Sequence, residues 1–127
     1  MTILFPGLIA GFIGVFTSWL ITGTIFHPWQ RRTPNTWRPE GSVQYASASA
    51  LHILAALGVS ALCSAARVRS IPGGLHIALL AWAATAVPVL ASSGLFVNLH
   101  PLVIVGLIVD WLVLVAMAGG LAGYWNG

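Results

Sequence analysis

The residues Leu99–Gly123, LHPLVIVGLIVDWLVLVAMAGGLAG, form a long apolar run with a single carboxylate, Asp110, near its middle. At about 1.5 Å per helical residue, the run is long enough to cross the hydrocarbon core of a bilayer, which needs roughly 20 residues. An ionisable side chain at the bilayer centre costs about 2.5–3.5 kcal/mol on insertion scales. We therefore expect Asp110 to face protein or a cavity and not lipid.

The composition of the whole chain predicts the same environment. Of its 127 residues, 58% are hydrophobic and only 6% are charged, which is too little charge for the surface of a soluble globule. The net charge of +3 comes from arginines in two clusters beside the apolar runs, where cations meet lipid head groups. Membrane lipids are thus the predicted surroundings, and no nucleic-acid partner is expected. The single cysteine, Cys63, excludes an internal disulfide.

Four apolar stretches are long enough to span a membrane, at approximately residues 3–26, 43–66, 72–92 and 99–124. The turn after the second stretch carries Ser70 and Pro72, and the turn before the fourth carries Asn98 and Pro101, which suit helix starts. Short turns make neighbouring helices antiparallel. We predict an all-α membrane protein, a compact antiparallel four-helix transmembrane bundle forming a single domain over residues 1–127.

The longest connector, residues 27–42, is rich in tryptophan, proline and arginine and is predicted to lie in the membrane interface. The cationic and aromatic residues that flank the spans are the candidate interface anchors: Trp29, Trp37, Arg31, Arg32 and Arg38 in this loop, and Arg67 and Arg69 in the next one. An excess of one arginine favours a cytoplasmic first loop.

Sparse aromatic landmarks run along most of the chain. They are Trp19 followed ten residues later by Trp29, Phe26 between them, Trp82, the pair Leu95-Phe96, and the closing Gly123-Tyr124-Trp125. In these the chain resembles a small bacterial four-span integral membrane family classed as domain of unknown function 1761. It departs from that family at Leu20-Ile21-Thr22 and at Asp110-Trp111. The resemblance implies the four-span topology and a location in the bacterial inner (cytoplasmic) membrane, and the family has no assigned activity.

Counting along the helices from the side of the first loop places several polar side chains at one depth. His52 lies about nine residues into the second span and Asp110 about eleven into the fourth, which is roughly 14–17 Å deep for both. Ser18 and Thr85 fall at similar depth on the first and third spans. Each span can therefore offer one polar side chain to a common cluster at the bilayer midplane.

Two hypotheses follow for this cluster. In the first, His52 and Asp110 form a protonatable pair in a cavity that opens toward the first loop, with Tyr45, Asn98 and His100 at its mouth; Ser49 and Tyr45 share the helix face of His52. Such a pair could relay protons or bind a small polar solute. In the second, a neutral Asp110 fixes the packing of otherwise apolar helices by a hydrogen bond to His52, Ser18, Thr85 or Trp111.

Other site chemistry has weaker support in the sequence. Facing histidines such as His52 and His100 could ligate haem, but no carboxylate or cysteine completes a metal-binding set beside them, so no metal and no cofactor is predicted. The chain lacks a nucleophile elbow and a phosphate-binding glycine loop, and it has only two carboxylates. We therefore do not expect an enzyme.

Small residues mark faces where helices can approach closely. On the first span these are Gly7, Gly11 and Gly14, and on the fourth they are Gly119 and Gly123; the alternatives are packing inside the monomer and packing between subunits. Gly106 lies one turn before Asp110 and leaves room for an approaching side chain. Pro88 is expected to kink the third span and free the carbonyl of Ala84.

These patterns favour a small integral membrane protein that self-associates as a homo-oligomer, or serves as an accessory or scaffold subunit of a larger membrane complex. The first alternative is a proton-linked carrier or small-solute transporter that uses Asp110 and His52. The second is a binder of a lipophile, quinone or haem.

Overall fold

The computed structural model describes residues 3–32 and 41–127. Within them, four helices are long and apolar enough to cross a membrane: Leu4–Ile25, Ser42–Ala65, Ile71–Phe96 and Pro101–Trp125. We call them the first to fourth spans. The described regular structure is entirely helical, which confirms the predicted all-α bundle of a multi-pass membrane protein. The predicted anchors Trp37 and Arg38 lie outside the described residues.

The contacts show that the first span packs antiparallel to the second, and the third antiparallel to the fourth. Gly7 lies against Leu57 and Gly11 against Ile53, so the first and second spans run in opposite directions. Gly74 of the third span lies against Gly119 of the fourth. The fourth span packs against all three others and carries the most buried positions, so it is the centre of the bundle.

The first span changes its helical form near the first loop. It is α-helical over Leu4–Leu20 and π-helical over Ile21–Ile25, where the amide of Phe26 donates to the carbonyl of Ile21 at 3.0 Å. A π-helical turn is wider than an α-helical one and occurs mostly as a short insertion, often at functional sites. A short helix, His27–Gln30, follows it.

The third span is broken in its middle, as Pro88 predicts. The helix ends at Ala84 and resumes at Ala86, with Thr85 between them at φ −124° and ψ −68°. Because proline has no amide hydrogen, the helical hydrogen bond that would return from Pro88 to Ala84 is lost. The span also runs to Phe96 and not only to residue 92 as predicted, so it is longer than the apolar stretch that defines it.

Local hydrogen bonds define the turns between spans. After the second span, Arg67 adopts a left-handed φ of 54°, and the amide of Val68 donates to the carbonyl of Cys63 at 2.9 Å, an arrangement that ends the helix. Ser70 caps the third span by accepting from the amide of Gly73 at 3.3 Å, as predicted. The cap of the fourth span is His100 and not Asn98, because Nδ1 of His100 accepts from the amide of Leu102.

The remaining predicted anchors lie at the ends of the spans. Trp29 is half-buried and its ring centroid is 5.9 Å from that of Phe26. The four arginines of the described chain are exposed: Arg31 and Arg32 after the first span, and Arg67 and Arg69 between the second and third. Exposed cations at span ends can reach lipid head groups while the helices stay in hydrocarbon.

The small-residue faces are occupied inside the monomer. Gly7 and Gly11 meet the second span, Gly14 meets Leu114 of the fourth span, and both Gly119 and Gly123 meet the backbone of the third. Of the two alternatives drawn from the sequence, the structure therefore shows packing within one chain. Association with another subunit through these glycines would require the helices to separate first.

A pair of adjacent glycines tests this close packing. A Cβ on Gly119 would overlap the carbonyl oxygen of Gly74 and lie 2.7 Å from Cβ of Ala78, whereas a Cβ on Gly120 meets only Leu75 Cδ2 at 3.8 Å. We expect Gly119→Ala to lower the free energy of unfolding by about 1–3 kcal/mol because the third and fourth spans must move apart. Gly120→Ala should leave it unchanged or slightly higher.

The measurement is the unfolding transition of the purified protein in one mild detergent, followed by circular dichroism. An equal transition for Gly119→Ala and Gly120→Ala would contradict the close contact between the third and fourth spans.

Candidate functional site

Asp110 lies at the centre of the bundle and is held by side chains from two other spans. The carboxyl group is buried, with 2% of the residue exposed. Ser18 Oγ of the first span donates to Asp110 Oδ2 at 2.9 Å, and His52 Nε2 of the second span lies 3.2 Å from the same oxygen. The structure thus brings together three of the four side chains that the depth count placed in one layer.

His52 is oriented by contacts on both sides of its ring. Its Nδ1 lies 2.8 Å from the carbonyl oxygen of Ala48, one turn earlier in the same helix. The ring stacks on Trp111, the residue after Asp110, with centroids 5.1 Å apart and planes 16° from parallel. Together these two contacts orient the imidazole so that Nε2 points at Asp110.

The partners of the two ring nitrogens determine how many protons the pair holds. A carbonyl oxygen cannot donate, so the hydrogen bond to Ala48 requires a hydrogen on Nδ1 of His52. The contact between Nε2 and Asp110 Oδ2 then needs one more hydrogen, because two lone pairs facing each other at 3.2 Å would repel. One proton therefore lies between Asp110 and His52, and the pair as a whole is neutral.

The second carboxyl oxygen of Asp110 has a different environment. Asp110 Oδ1 is buried and has no hydrogen-bond partner among the described residues. One turn away, the space beside Gly106 is filled by Phe26, whose ring would lie 2.5 Å from a Cβ at that position. The space that the sequence indicated at Gly106 thus receives Phe26, the residue that follows the first span, and not a side chain of the polar cluster.

A cleft of about 710 Å³ separates the first and second spans in the half of the bundle near the first loop. It is lined by residues of the first span and the segment after it, and by one face of the second span: Val15, Phe16, Ser18, Trp19, Thr22, Gly23, His27, Gln30, Tyr45, Ala48, Ser49 and His52. Ser18 and His52 connect this cleft to Asp110.

The cleft begins where the glycine contacts between the two spans end. Gly7 and Gly11 allow the first and second spans to touch in the other half of the bundle. Toward the first loop the facing positions of the first span are Ser18 and Thr22, with Trp19 beside them, and the span there becomes π-helical. Larger side chains and a wider helical turn hold the helices apart and leave the space between them.

Several residues predicted for the site lie elsewhere. Thr85 is not part of the polar cluster, because it is exposed and its hydroxyl donates to the carbonyl of Ala81 at 2.6 Å. Asn98 and His100 do not line the cleft, because it opens between the first and second spans and these two residues precede the fourth. Tyr45 and Ser49 do line it, as the helical stripe of the second span predicts.

Sequence reasoning missed Ala48 and Phe26 at the site, and it named Trp111 only as a possible hydrogen-bond partner of Asp110. Trp111 follows Asp110 directly, so its nearness was visible, but its stacking on His52 depends on how two helices are rotated. Phe26 directly follows the π-helical segment, and its ring lies against Gly106 of the fourth span, a contact between two spans that spacing does not show. The carbonyl of Ala48 carries no signal in the sequence, since every residue has one.

The described residues 3–32 and 41–127 contain no group of three or more His, Cys, Asp or Glu side chains that could hold a metal ion. Haem ligation by the two histidines that the sequence proposed would compete with existing contacts. Both nitrogens of His52 have partners, and Nδ1 of His100 caps the fourth span.

Fold and site together define a small four-span membrane bundle with a buried carboxyl–imidazole pair beside a cleft. The family described as Protein of unknown function (DUF1761) matches residues 6–123, so the chain belongs to that family. No curated protein and no solved structure matches the chain. The resemblance in the aromatic landmarks is confirmed over nearly the full length, and the family description assigns no activity.

Substitutions of Asp110 test the hydrogen-bonded cluster. Asp110→Asn, with its amide nitrogen at the position of Oδ2, can donate one hydrogen to His52 Nε2 and the other to Ser18 Oγ, so it keeps a neutral pair with the direction of the Ser18 bond reversed. We expect its stability to be close to that of the wild type. Asp110→Leu leaves Ser18 and His52 without their hydrogen-bond partner, and we expect a loss of about 1–2 kcal/mol in the free energy of unfolding.

Denaturant titration in mild detergent measures both variants. A leucine variant as stable as the wild type would remove the structural role of Asp110. An asparagine variant as unstable as the leucine variant would contradict the neutral pair with its shared proton.

Proposed function

We propose that this chain is a protein of the bacterial inner membrane that binds a small lipophilic molecule in the cleft and couples its binding to the proton shared by Asp110 and His52. One observation carries the proposal: Ser18 and His52 line the cleft, and both contact Asp110 Oδ2. A molecule in the cleft can therefore contact the groups that control where that proton lies. This joins the carrier and the lipophile-binder hypotheses in one site.

The location of the pair supports a functional role. Polar groups inside the membrane that serve packing alone contribute about 0.6 kcal/mol per hydrogen bond on average, which is small beside the cost of burying a carboxyl group. A cluster that only joined helices would also not need a cleft next to it. Here the two polar partners of Asp110 are also cleft residues.

The dimensions of the cleft indicate a small ligand. A volume of about 710 Å³ lies within the range of pockets that hold small molecules and cofactors. The walls near Phe16 and Trp19 are apolar and belong to side chains that are 73% and 67% exposed in the isolated chain, so lipid can reach them. The ligand enters from the membrane or from the first-loop side. The proposal includes no resident cofactor, no metal and no chemical reaction.

The accessory-subunit hypothesis takes second place because the glycine faces that suggested it are used inside the monomer. One observation still favours a homo-oligomer or a larger complex. The best apolar window of the third span is 11% buried, against 28–39% in the other three, so most of its surface faces lipid or another protein. A native mass above that of one chain in mild detergent would support this alternative, and a monomer would oppose it.

Cysteine labelling tests whether the cleft is an accessible site. Ala48 lines the cleft, and Ala50, also exposed, lies two residues further on the same helix outside its lining. In a Cys63→Ala background, we expect Ala48→Cys to react with a water-soluble methanethiosulfonate at least about tenfold faster than Ala50→Cys, because thiols ionise in water and not in lipid. A lipophilic probe, N-phenyl-1-naphthylamine, should slow the reaction at Ala48→Cys only.

The protein is measured in lipid nanodiscs, and modification is followed by mass spectrometry. Equally slow reaction at both positions would overturn the proposal, since the cleft would then be closed or filled by lipid. Reaction at Ala48→Cys that the probe does not slow would show a hydrated groove that takes no lipophile, which is also against it.

A further inference from the structure

Three hydroxyl residues line the part of the cleft that we call the inner cleft: Ser18, Thr22 and Ser49. Their hydroxyl groups all direct their hydrogens away from it. Ser18 Oγ donates to Asp110 at 2.9 Å, Thr22 Oγ1 donates to the carbonyl of Ser18 at 2.7 Å, and Ser49 Oγ donates to the carbonyl of Tyr45 at 2.8 Å. A hydroxyl group has one hydrogen and two lone pairs. With the hydrogen engaged, what these three residues offer to a molecule in the cleft is acceptor capacity.

His52 adds no donor to this surface. Both of its ring nitrogens are directed at acceptors, Ala48 and Asp110, so neither is available to a ligand without breaking a bond. The lining of the cleft also has donors, Trp19 Nε1–H and the side-chain amide of Gln30. Where Ser18, Thr22, Ser49 and His52 line it, the surface disfavours anions and molecules that have only carbonyl oxygens, because their lone pairs would face other lone pairs. It favours a ligand that donates hydrogen bonds.

Two further features favour a donor that carries positive charge. Phe16, Trp19 and Tyr45 line the cleft, and aromatic faces attract cations with about 0.5–2 kcal/mol each. Behind Ser18 lies Asp110, whose Oδ1 has no partner among the described residues. When the shared proton leaves, Asp110 and a neutral His52 carry one negative charge that compensates a cation in the cleft, and the contact between Nε2 and Oδ2 opens because no hydrogen lies between them. A neutral hydroxyl ligand would use neither feature.

We propose that the cleft binds a protonated lipophilic amine, which displaces the proton shared by Asp110 and His52. This rests on the function proposed above and names its substrate class. The exchange is balanced: a neutral site and an ammonium ion give an anionic site with the ammonium bound, and one proton is released to water. The N–H groups of the amine donate to the inner hydroxyl oxygens, and its alkyl part lies along the aromatic wall.

The mouth of the cleft carries the other titratable groups near this site. His27 lines it, and Arg31 Nε donates to His27 Nε2 at 2.9 Å, so the ring nitrogen there is an acceptor as well. Arg31 is exposed, and its repulsion of an entering cation is screened by solvent and salt. The end of the cleft where the amine binds is near Asp110 and away from the exposed Arg31.

Three probes with the same alkyl chain test the proposal: dodecylamine, dodecanol and dodecyltrimethylammonium. The readout is protection of Ala48→Cys from methanethiosulfonate in nanodiscs, in the Cys63→Ala background. We expect dodecylamine to protect at a concentration about tenfold lower than either of the others, because dodecanol lacks charge and the trimethylammonium group lacks N–H donors. The preference should disappear when Asp110→Asn is added.

A second readout follows the proton. In weakly buffered nanodiscs with a pH-sensitive dye, dodecylamine should release about one proton per bound molecule from the wild type, and Asp110→Asn should behave as nanodiscs without protein. Equal protection by all three probes would overturn the amine assignment while the binding function stands. Stronger protection by dodecanol would replace it with a neutral hydroxyl ligand. An unreactive Ala48→Cys would remove the function itself.

Discussion

The hydrocarbon core of a membrane offers no hydrogen-bond partner, so a carboxyl group placed there must be satisfied by the protein. Asp110 meets this condition at Oδ2, with one side chain from each of two other spans, Ser18 and His52, while Oδ1 has no partner among the described residues. The contacts join the first, second and fourth spans at one depth. They also set the rotation of each helix, because a small turn of any of them would remove its polar side chain from the cluster.

The close glycine contacts and the cleft both lie between the first and second spans. Where the first span has Gly7 and Gly11, the second span comes so close that Leu57 and Ile53 pack directly against the glycine backbone. Where it presents larger residues and becomes π-helical, the two helices separate. The polar cluster lies at the transition, so Asp110 is buried on one side and reaches the cleft through Ser18 and His52 on the other.

A neutral pair with one shared proton beside acceptor-only hydroxyl groups has a definite chemical preference. It receives a donor more readily than an acceptor, and a cation more readily than an anion once the proton has left. The proposed site is suited to exchange, because the shared proton and a bound cation are alternative ways of balancing the charge of the same buried carboxylate. The peripheral third span takes no part in it, since Thr85 is exposed and bonds within its own helix.

The sequence by itself determined the environment, the number of spans, their antiparallel order and the depth of the polar residues. These follow from apolar length, turn residues and a constant rise per residue, all of which are local. It predicted that His52, Ser18 and Asp110 could meet. It was wrong about Thr85, because the depth of a residue in the membrane does not show which way its helix is rotated and therefore where its side chain points.

Only the tertiary structure decided which side chains face one another. Helix rotation depends on the contacts of every face at once, so the stacking of Trp111 on His52 and the place of Phe26 at Gly106 could not be deduced from spacing. The same holds for the glycine faces, whose sequence pattern is identical for contacts within a chain and between chains. The chemistry of the cleft depends on packing at Ser18, whose hydroxyl donates to Asp110 of another span, whereas Thr22 and Ser49 donate to carbonyls one turn back in their own helices.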